Sequence, residues 1–170
     1  PEFEIILIEK GDGLCFCGDY VGRFQPGDIA VFGKGLPHFY LSDNRFYKED
    51  CEEICQSICI QFKEELLPLD YKQMPGFKSI YHILKEAERG VYFFSKGNKK
   101  LIELIRSIPK TKRFEKIIQL YTILNILGES NGYTVLASYN YQNNDISQDT
   151  VYQKVITYIN KHYQQEITLE

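Results

Sequence analysis

The hydrophobic pattern of the chain changes near residue 77, and this change is the strongest constraint on its fold. Before it, short apolar runs are separated by turns such as Gly11-Asp12-Gly13 and Pro26-Gly27, a pattern typical of antiparallel strands. After it, apolar residues recur every three to four positions, as in amphipathic helices. The sequence therefore predicts an α+β protein in which the strands come first.

The expected strands all lie in the first 62 residues. They are Phe3–Ile8, Leu14–Phe16, Ile29–Phe32, His38–Leu41 and Glu53–Phe62. Strands this short, punctuated by glycine and proline, favour a sandwich or a small barrel.

Four amphipathic helices are expected after the strands. They are Lys78–Arg89, Asn98–Ile108, Phe114–Leu127 and Thr150–Tyr163. Pro109 ends the second helix, and the short connection to the third predicts that these two are antiparallel neighbours. Their wide apolar face packs either on the sheets or on a second copy of the chain.

These patterns divide the chain into four parts. Residues 1–77 are expected to form the strand region and residues 78–128 the helical region. Residues 129–149 are polar and rich in Asn and Gln, which predicts a linker, and residues 150–170 contain the last helix. The abrupt end after that helix suggests a piece of a longer protein.

Composition excludes several classes of protein. The 170 residues are 44% hydrophobic and 25% charged, as in ordinary globular proteins, and they contain no apolar run long enough to span a bilayer. We therefore expect a soluble, cytoplasmic protein. The net charge of −3 argues against these residues wrapping nucleic acid by themselves. Lys and Arg are concentrated between residues 96 and 128. This basic segment is expected to form either a solvated helix face or a phosphate-binding surface.

The cysteines are odd in number and no secretion signal precedes them, so reduced thiols are expected. They are Cys15, Cys17, Cys51, Cys55 and Cys59. Their spacing differs from the paired knuckles of structural zinc sites, which favours small buried side chains over metal ligands.

Two spaced motifs resemble the signature motifs of the cupin superfamily. Glu4 is followed by six residues and then Gly11, and Gly27 and Gly33 precede His38 by eleven and five positions. The resemblance implies a jelly-roll barrel with Glu4 and His38 on its strands. In cupin enzymes these two residues, with two further histidines, hold a metal.

A metal site is not expected here because the chain offers too few ligands. The other histidines, His82 and His162, lie in segments expected to be helical. A small-molecule pocket remains plausible for a barrel with an inward Glu and His. If both face inward, alternation puts three further residues on the same side, which completes the candidate ligand-binding set: Glu4, Ile6, Ile8, His38 and Tyr40.

A narrower resemblance covers nearly the whole chain. Six segments follow in order the pattern of AraC-type transcription regulators: PEFEIILIEKGDG, FQPGDIAVFGKGLPHFYLSD, ICIQF, AERGVYF, RFEKIIQLYTILNIL and VYQKVITYINKHYQQEITLE. The resemblance implies a cytoplasmic bacterial regulator with a sensor cupin, a helical dimerisation hairpin, a linker and the first helix of a helix-turn-helix DNA-binding domain. The recognition helices of that domain lie outside this sequence.

The AraC-type resemblance implies a homodimer that binds a small-molecule effector, such as a saccharide, and promoter DNA through a further C-terminal domain. It implies neither a catalytic residue nor a cofactor. The candidate dimerisation residues are Leu101, Leu104, Ile105, Phe114, Ile117, Ile118, Tyr121 and Leu124. Two other hypotheses remain open: a metal-dependent cupin enzyme, such as a dioxygenase or isomerase, and an inert sugar-binding cupin.

Overall fold

A computed structural model describes residues 2–94, 99–139 and 141. This part of the chain is α+β, as expected, and contains two antiparallel sheets and three α-helices. The strands are β1 (Phe3–Lys10), β2 (Gly13–Cys17), β3 (Tyr20–Phe24), β4 (Ile29–Phe32), β5 (His38–Ser42), β6 (Gln56–Phe62), β7 (Val91–Phe93) and β8 (Thr134–Val135). The helices are α1 (Lys78–Glu86), α2 (Lys99–Ser107) and α3 (Phe114–Glu129).

The two sheets face each other. The large sheet has the order β6-β1-β4-β7-β8, and the small sheet has the order β3-β2-β5. They do not join into a closed barrel over the described residues. A layer of side chains, here called the inter-sheet cluster, fills the space between them: Ile6, Ile8, Cys15, Cys17, Phe24, Ala30, Phe32, Leu36, Tyr92 and Leu136.

The other face of the large sheet packs on the helices. Ile5, Leu7 and Val31 point to that side and share one core with Ile83 of α1 and Leu124 of α3. Strand β1 is therefore buried on both faces, which explains why its sequence is a nearly continuous apolar run rather than a strict alternation. None of the described helices is both long and apolar enough to cross a membrane.

The five expected strands are present, and three further strands were not predicted from the sequence. Strand β3 has Gly22 at its centre, which weakens its strand signal. Strands β7 and β8 are only three and two residues long. Gly90 (φ 74°) lets the chain turn from the helical region into β7, which then pairs with β4.

Helices α1 and α3 lie very close together. A Cβ atom on Gly128 would come within 2.3 Å of the Ser79 carbonyl oxygen, so only glycine permits this approach. The Ser79 hydroxyl donates to Asn125 Oδ1 at 3.0 Å across the same contact. Helices α2 and α3 are joined by a 3-10 turn at Ile108–Lys110, and the Thr111 hydroxyl after it donates to Gln119 of α3.

Part of the segment expected to be a linker is packed against the sheets. Strand β8 pairs with β7, and Leu136 and Ala137 after it are buried. Two guanidinium nitrogens of Arg89, Nε and Nη2, donate hydrogen bonds to the Ala137 carbonyl oxygen at 2.9 and 2.7 Å. Strands β7 and β8, which follow the expected boundary at residue 77, belong to the large sheet. The rest of the expected linker (140 and 142–149) and the last expected helix (150–170) lie outside the described residues.

Candidate functional site

Glu4 and His38 meet between the two sheets. Glu4 lies on β1 of the large sheet and His38 begins β5 of the small sheet. His38 Nε2 is 3.2 Å from Glu4 Oε2. The side chain of His38 is 17% exposed and that of Glu4 is 23% exposed. The pair therefore lies at the margin of the core, where a solute can reach it.

The His38 ring is fixed by two further contacts. Nδ1 lies 2.8 Å from the Leu36 carbonyl oxygen, and it must carry a hydrogen because a carbonyl only accepts. The ring also stacks on Phe32, with centroids 3.9 Å apart and planes 12° from parallel. Nε2 is therefore aimed at Glu4.

The second oxygen of Glu4 is also engaged. Gln61 Nε2 donates to Glu4 Oε1 at 2.9 Å, and the Cys59 thiol lies 3.8 Å from Oε2. Desolvation of the thiol beside Glu4 and the negative charge of that carboxylate raise the pKa of Cys59 to about 11, so its thiol stays protonated. We call these four residues the polar cluster: Glu4, His38, Cys59 and Gln61.

The polar cluster borders an open stretch of the inner sheet face. On β6, Ser57, Cys59 and Gln61 pair with Ile8, Ile6 and Glu4, so all three share the inner face. All three are exposed. Sequence reasoning missed this contribution of β6, although the alternation of its polar and apolar residues was a signal for a strand with one solvated face.

Deeper between the sheets lie the other three candidate ligand-binding residues. Ile6 and Ile8 are 8% and 5% exposed and belong to the inter-sheet cluster. The Tyr40 ring packs edge-on against Phe24, with centroids 5.1 Å apart. Its hydroxyl oxygen is buried and has no hydrogen-bond partner among the described residues. The structure thus places Glu4, Ile6, Ile8, His38 and Tyr40 on the facing sides of the two sheets.

The buried thiols of β2 are unsuited to nucleophilic chemistry. Burial raises the pKa of Cys15 to about 11 and that of Cys17 to about 12, so both stay protonated at neutral pH. None of the cysteines forms a disulfide bond. A thiol–imidazole pair with His38 therefore lacks the thiolate that it would need.

A second polar pair, which sequence reasoning also missed, lies at the other end of the inter-sheet space. Asp28 is 1% exposed, and its Oδ2 accepts hydrogen bonds from the Tyr92 hydroxyl at 2.9 Å and the Gln25 backbone N–H at 3.0 Å. Burial and the Asp28 charge raise the pKa of Tyr92 well above its usual range. The Pro26-Gly27-Asp28 turn signalled Asp28, but nothing in the sequence linked it to Tyr92.

The residues present do not fit the metal site of cupin enzymes. Glu4 and His38 are two potential ligands, which is fewer than the four that hold the metal in cupin enzymes. Among the described residues, no group of three or more His, Cys, Asp and Glu side chains is arranged to hold a metal ion.

The candidate dimerisation residues divide into three groups. Leu101, Ile105 and Leu124 are buried in the core of their own chain, so they are not available to a second copy. Leu104, Ile117 and Tyr121 are partly buried. Phe114 and Ile118 are 67% and 54% exposed and lie one turn apart on α3. The surface open to a partner is thus much narrower than the apolar pattern suggested.

Neither the models of known protein families nor the curated proteins contain a match to this sequence. The polar cluster combines a carboxylate, an imidazole, an amide and a thiol beside a stacked phenyl ring. Such a set can bind a small polar molecule through several hydrogen bonds.

Proposed function

We propose that this chain is the ligand-sensing and dimerising part of a bacterial transcription regulator of the AraC type, and that it has no catalytic activity. The observation that carries the sensing role is the polar cluster, which lies between the two sheets and borders the open inner face of β6. In this proposal the two sheets are parts of a cupin jelly roll, and the open face is where the effector binds.

The proposed effector is a small molecule rich in hydroxyl groups, such as a saccharide. Glu4 accepts hydrogen bonds, while the Gln61 amide both donates and accepts. Hydroxyl groups, which also donate and accept, match this set. Exposed Ser57 adds a further hydroxyl on the same face.

The proposed dimer uses the solvent-facing side of α3 in an antiparallel pair of helices formed by α2 and α3. Phe114 and Ile118 form an exposed apolar stripe there. A two-fold dimer would present two DNA-binding domains to paired half-sites. An effector that binds one dimer geometry more tightly would shift the equilibrium toward that geometry and so change the spacing of the DNA-binding domains. The shift in this equilibrium cannot exceed the difference in its affinity for the two geometries.

Effector binding is tested by thermal unfolding of the purified chain with a panel of sugars, polyols, amines and carboxylic acids. A true effector should raise the midpoint temperature of wild type and have little effect on Glu4→Gln or Gln61→Ala. Glu65→Gln, a matched change at an exposed glutamate outside the polar cluster, should respond as wild type does. An effect that survives both cluster variants would contradict the proposed site.

Dimerisation and DNA binding need separate measurements. Sedimentation velocity should show a dimer for wild type and for Leu69→Ser, at a fully exposed leucine, but a monomer for the double variant Phe114→Ser/Ile118→Ser. The complete product of the gene should bind DNA with an affinity that falls steeply with salt. A strictly monomeric wild type, or a complete product without DNA affinity, would overturn the regulator assignment.

A further inference from the structure

A cavity of about 210 Å³ lies on the helix side of the large sheet, where the start of β1, the 3-10 turn Glu64–Leu66 and α1 meet. Phe3 and Leu84, which are both buried, give it an apolar lining. We call it the lysine pocket, since three lysines contribute to its polar lining: Lys34, Lys72 and Lys85, together with Glu64, Tyr71 and Tyr81. The proposed function uses none of these residues.

The lysine pocket and the polar cluster lie on opposite faces of β1. Phe3 belongs to the core that the large sheet shares with the helices. Its neighbour Glu4 points between the two sheets and contacts His38. Because successive side chains of a strand point to opposite faces, a molecule in the lysine pocket does not touch the polar cluster.

Positive charge is in excess in the lysine pocket. Lys34 and Lys72 both donate to the Glu64 carboxylate, the latter at 3.0 Å. Lys85 donates to Glu88, which also lines the cavity, at 2.8 Å. Three ammonium groups thus face two carboxylates. An ammonium group has three N–H donors, so each lysine keeps donors for a further acceptor.

The charged groups are held in place by the aromatic lining. The Lys34 ammonium lies over the Phe3 ring, 5.4 Å from its centroid, and that of Lys72 lies 5.7 Å from the Tyr71 centroid. The Tyr71 hydroxyl donates to Glu64 at 2.8 Å. Lys34, Lys72 and Tyr71 lower the pKa of Glu64 to about 2, so these surroundings favour negative charge.

The shape of the lysine pocket limits its ligand to a small molecule. Its volume equals that of about seven water molecules at ~30 Å³ each. The Tyr81 ring packs edge-on against Tyr71, with centroids 6.2 Å apart. In the part of the chain that the structure describes, the Tyr81 hydroxyl makes no hydrogen bond. Rings, an unpaired hydroxyl and spare ammonium donors together match a flat molecule with an acidic group.

We propose that the lysine pocket binds a small organic anion, namely a carboxylate attached to a flat apolar body. The carboxylate would accept hydrogen bonds from the lysines, and the apolar body would cover Phe3 and Leu84. Inorganic phosphate fits less well, because it has no apolar surface to place on these two residues. The proposal does not depend on the regulator assignment, since the two rest on separate residues.

Benzoate is a suitable probe, and benzamide is its neutral match in size and shape. Nuclear magnetic resonance titration of the isotope-labelled full chain should shift the backbone amides around Glu64 and along α1. We expect a dissociation constant for benzoate of about 1 mM or below. Benzamide should bind at least roughly ten-fold more weakly, because it lacks the charge that strengthens hydrogen bonds to the ammonium groups.

Four variants locate the bound benzoate. Lys72→Gln and Lys85→Gln should each weaken binding roughly three-fold or more, since each removes one positive charge from the pocket. Lys110→Gln removes the same charge at an exposed position outside it, and Glu4→Gln alters the polar cluster, so both should bind as wild type does. Three results would overturn the proposal: equal affinity for benzoate and benzamide, unchanged affinity in both pocket variants, or a loss of affinity in Glu4→Gln alone.

Discussion

The imidazole of His38 and the carboxylate of Glu4 lie 3.2 Å apart, although 34 positions separate the two residues in the sequence. The contact joins the small sheet to the large one at the margin of the core. It therefore contributes to the packing of the sheets and also forms the centre of the candidate ligand site.

The energetic coupling of His38 and Glu4 can be measured directly. His38→Phe keeps the stacking on Phe32 but removes the hydrogen bond, and Glu4→Gln removes the charge. We expect the free energies of unfolding of the single and double variants to be non-additive by about 0.5–3 kcal/mol, as for residues in one hydrogen-bond network. Urea unfolding at pH 7 gives these values, and additive effects would contradict the contact.

The buried Tyr40 hydroxyl predicts a stabilising substitution. It has no hydrogen-bond partner among the described residues, so Tyr40→Phe removes the desolvation cost of a buried polar group. The free energy of unfolding should rise by about 1 kcal/mol, as measured by thermal or urea unfolding. A loss of stability would instead mean that the hydroxyl is bonded, for example to the neighbouring Cys15 thiol.

Gly33 is required by close packing of two backbone segments. Its N–H donates to the Ala87 carbonyl at 2.6 Å, and a Cβ atom there would lie 2.7 Å from Glu88 Cα. Gly33→Ala should lower the free energy of unfolding by about 1–3 kcal/mol, the usual cost of overpacking. Gly76→Ala is the matched control, because a Cβ at Gly76 meets nothing within 4 Å. Equal effects of the two substitutions on the free energy of unfolding would contradict the claim that close packing requires glycine at position 33.

Glu64 predicts a pH dependence of stability. Its carboxylate accepts hydrogen bonds from Lys34, from Lys72 at 3.0 Å and from the Tyr71 hydroxyl at 2.8 Å. The two lysines and the tyrosine lower the pKa of Glu64 from 4.5 to about 2. Glu64 therefore stays ionised to a lower pH in the folded protein than in the unfolded chain. Its carboxylate stabilises the folded state at neutral pH.

The sign of the pH effect follows from the lowered pKa. As the pH falls through 4.5, the unfolded chain takes up a proton on Glu64 before the folded chain does, so stability should decrease between pH 4.5 and about 2. Glu64→Gln should be less stable than wild type at pH 7, and the difference should shrink over that interval. Urea unfolding at several pH values checks this, and a constant difference would contradict it.

Some of the site could be predicted from the sequence and some could not. Alternation placed Ile6 and Ile8 on the side of β1 that carries Glu4, because side-chain direction in a strand follows a strict period of two. The contribution of Gln61 and Cys59 depends on the pairing register of β6 with β1. Register is a non-local property, since it joins residues 57 positions apart.

The helices show the same division. Their periodicity predicted α1, α2 and α3 close to their observed bounds, because amphipathic spacing is local. It could not tell that Leu101, Ile105 and Leu124 face the core of their own chain while Phe114 and Ile118 stay exposed. The spacing of apolar residues along a helix is the same whether a given side chain faces the core or the solvent.

The sequence by itself determined the α+β class, the main strands and helices, and the residue types available for a polar site. These properties arise from local preferences of the backbone and from the spacing of apolar residues. The tertiary structure decided that Glu4 contacts His38 and Gln61 and that the Asp28 carboxylate accepts a hydrogen bond from Tyr92. It also decided that part of the polar segment after α3 joins the large sheet. Each of these depends on which distant segments pack together to bury the most apolar surface while satisfying their polar groups, and no short stretch of sequence encodes that choice.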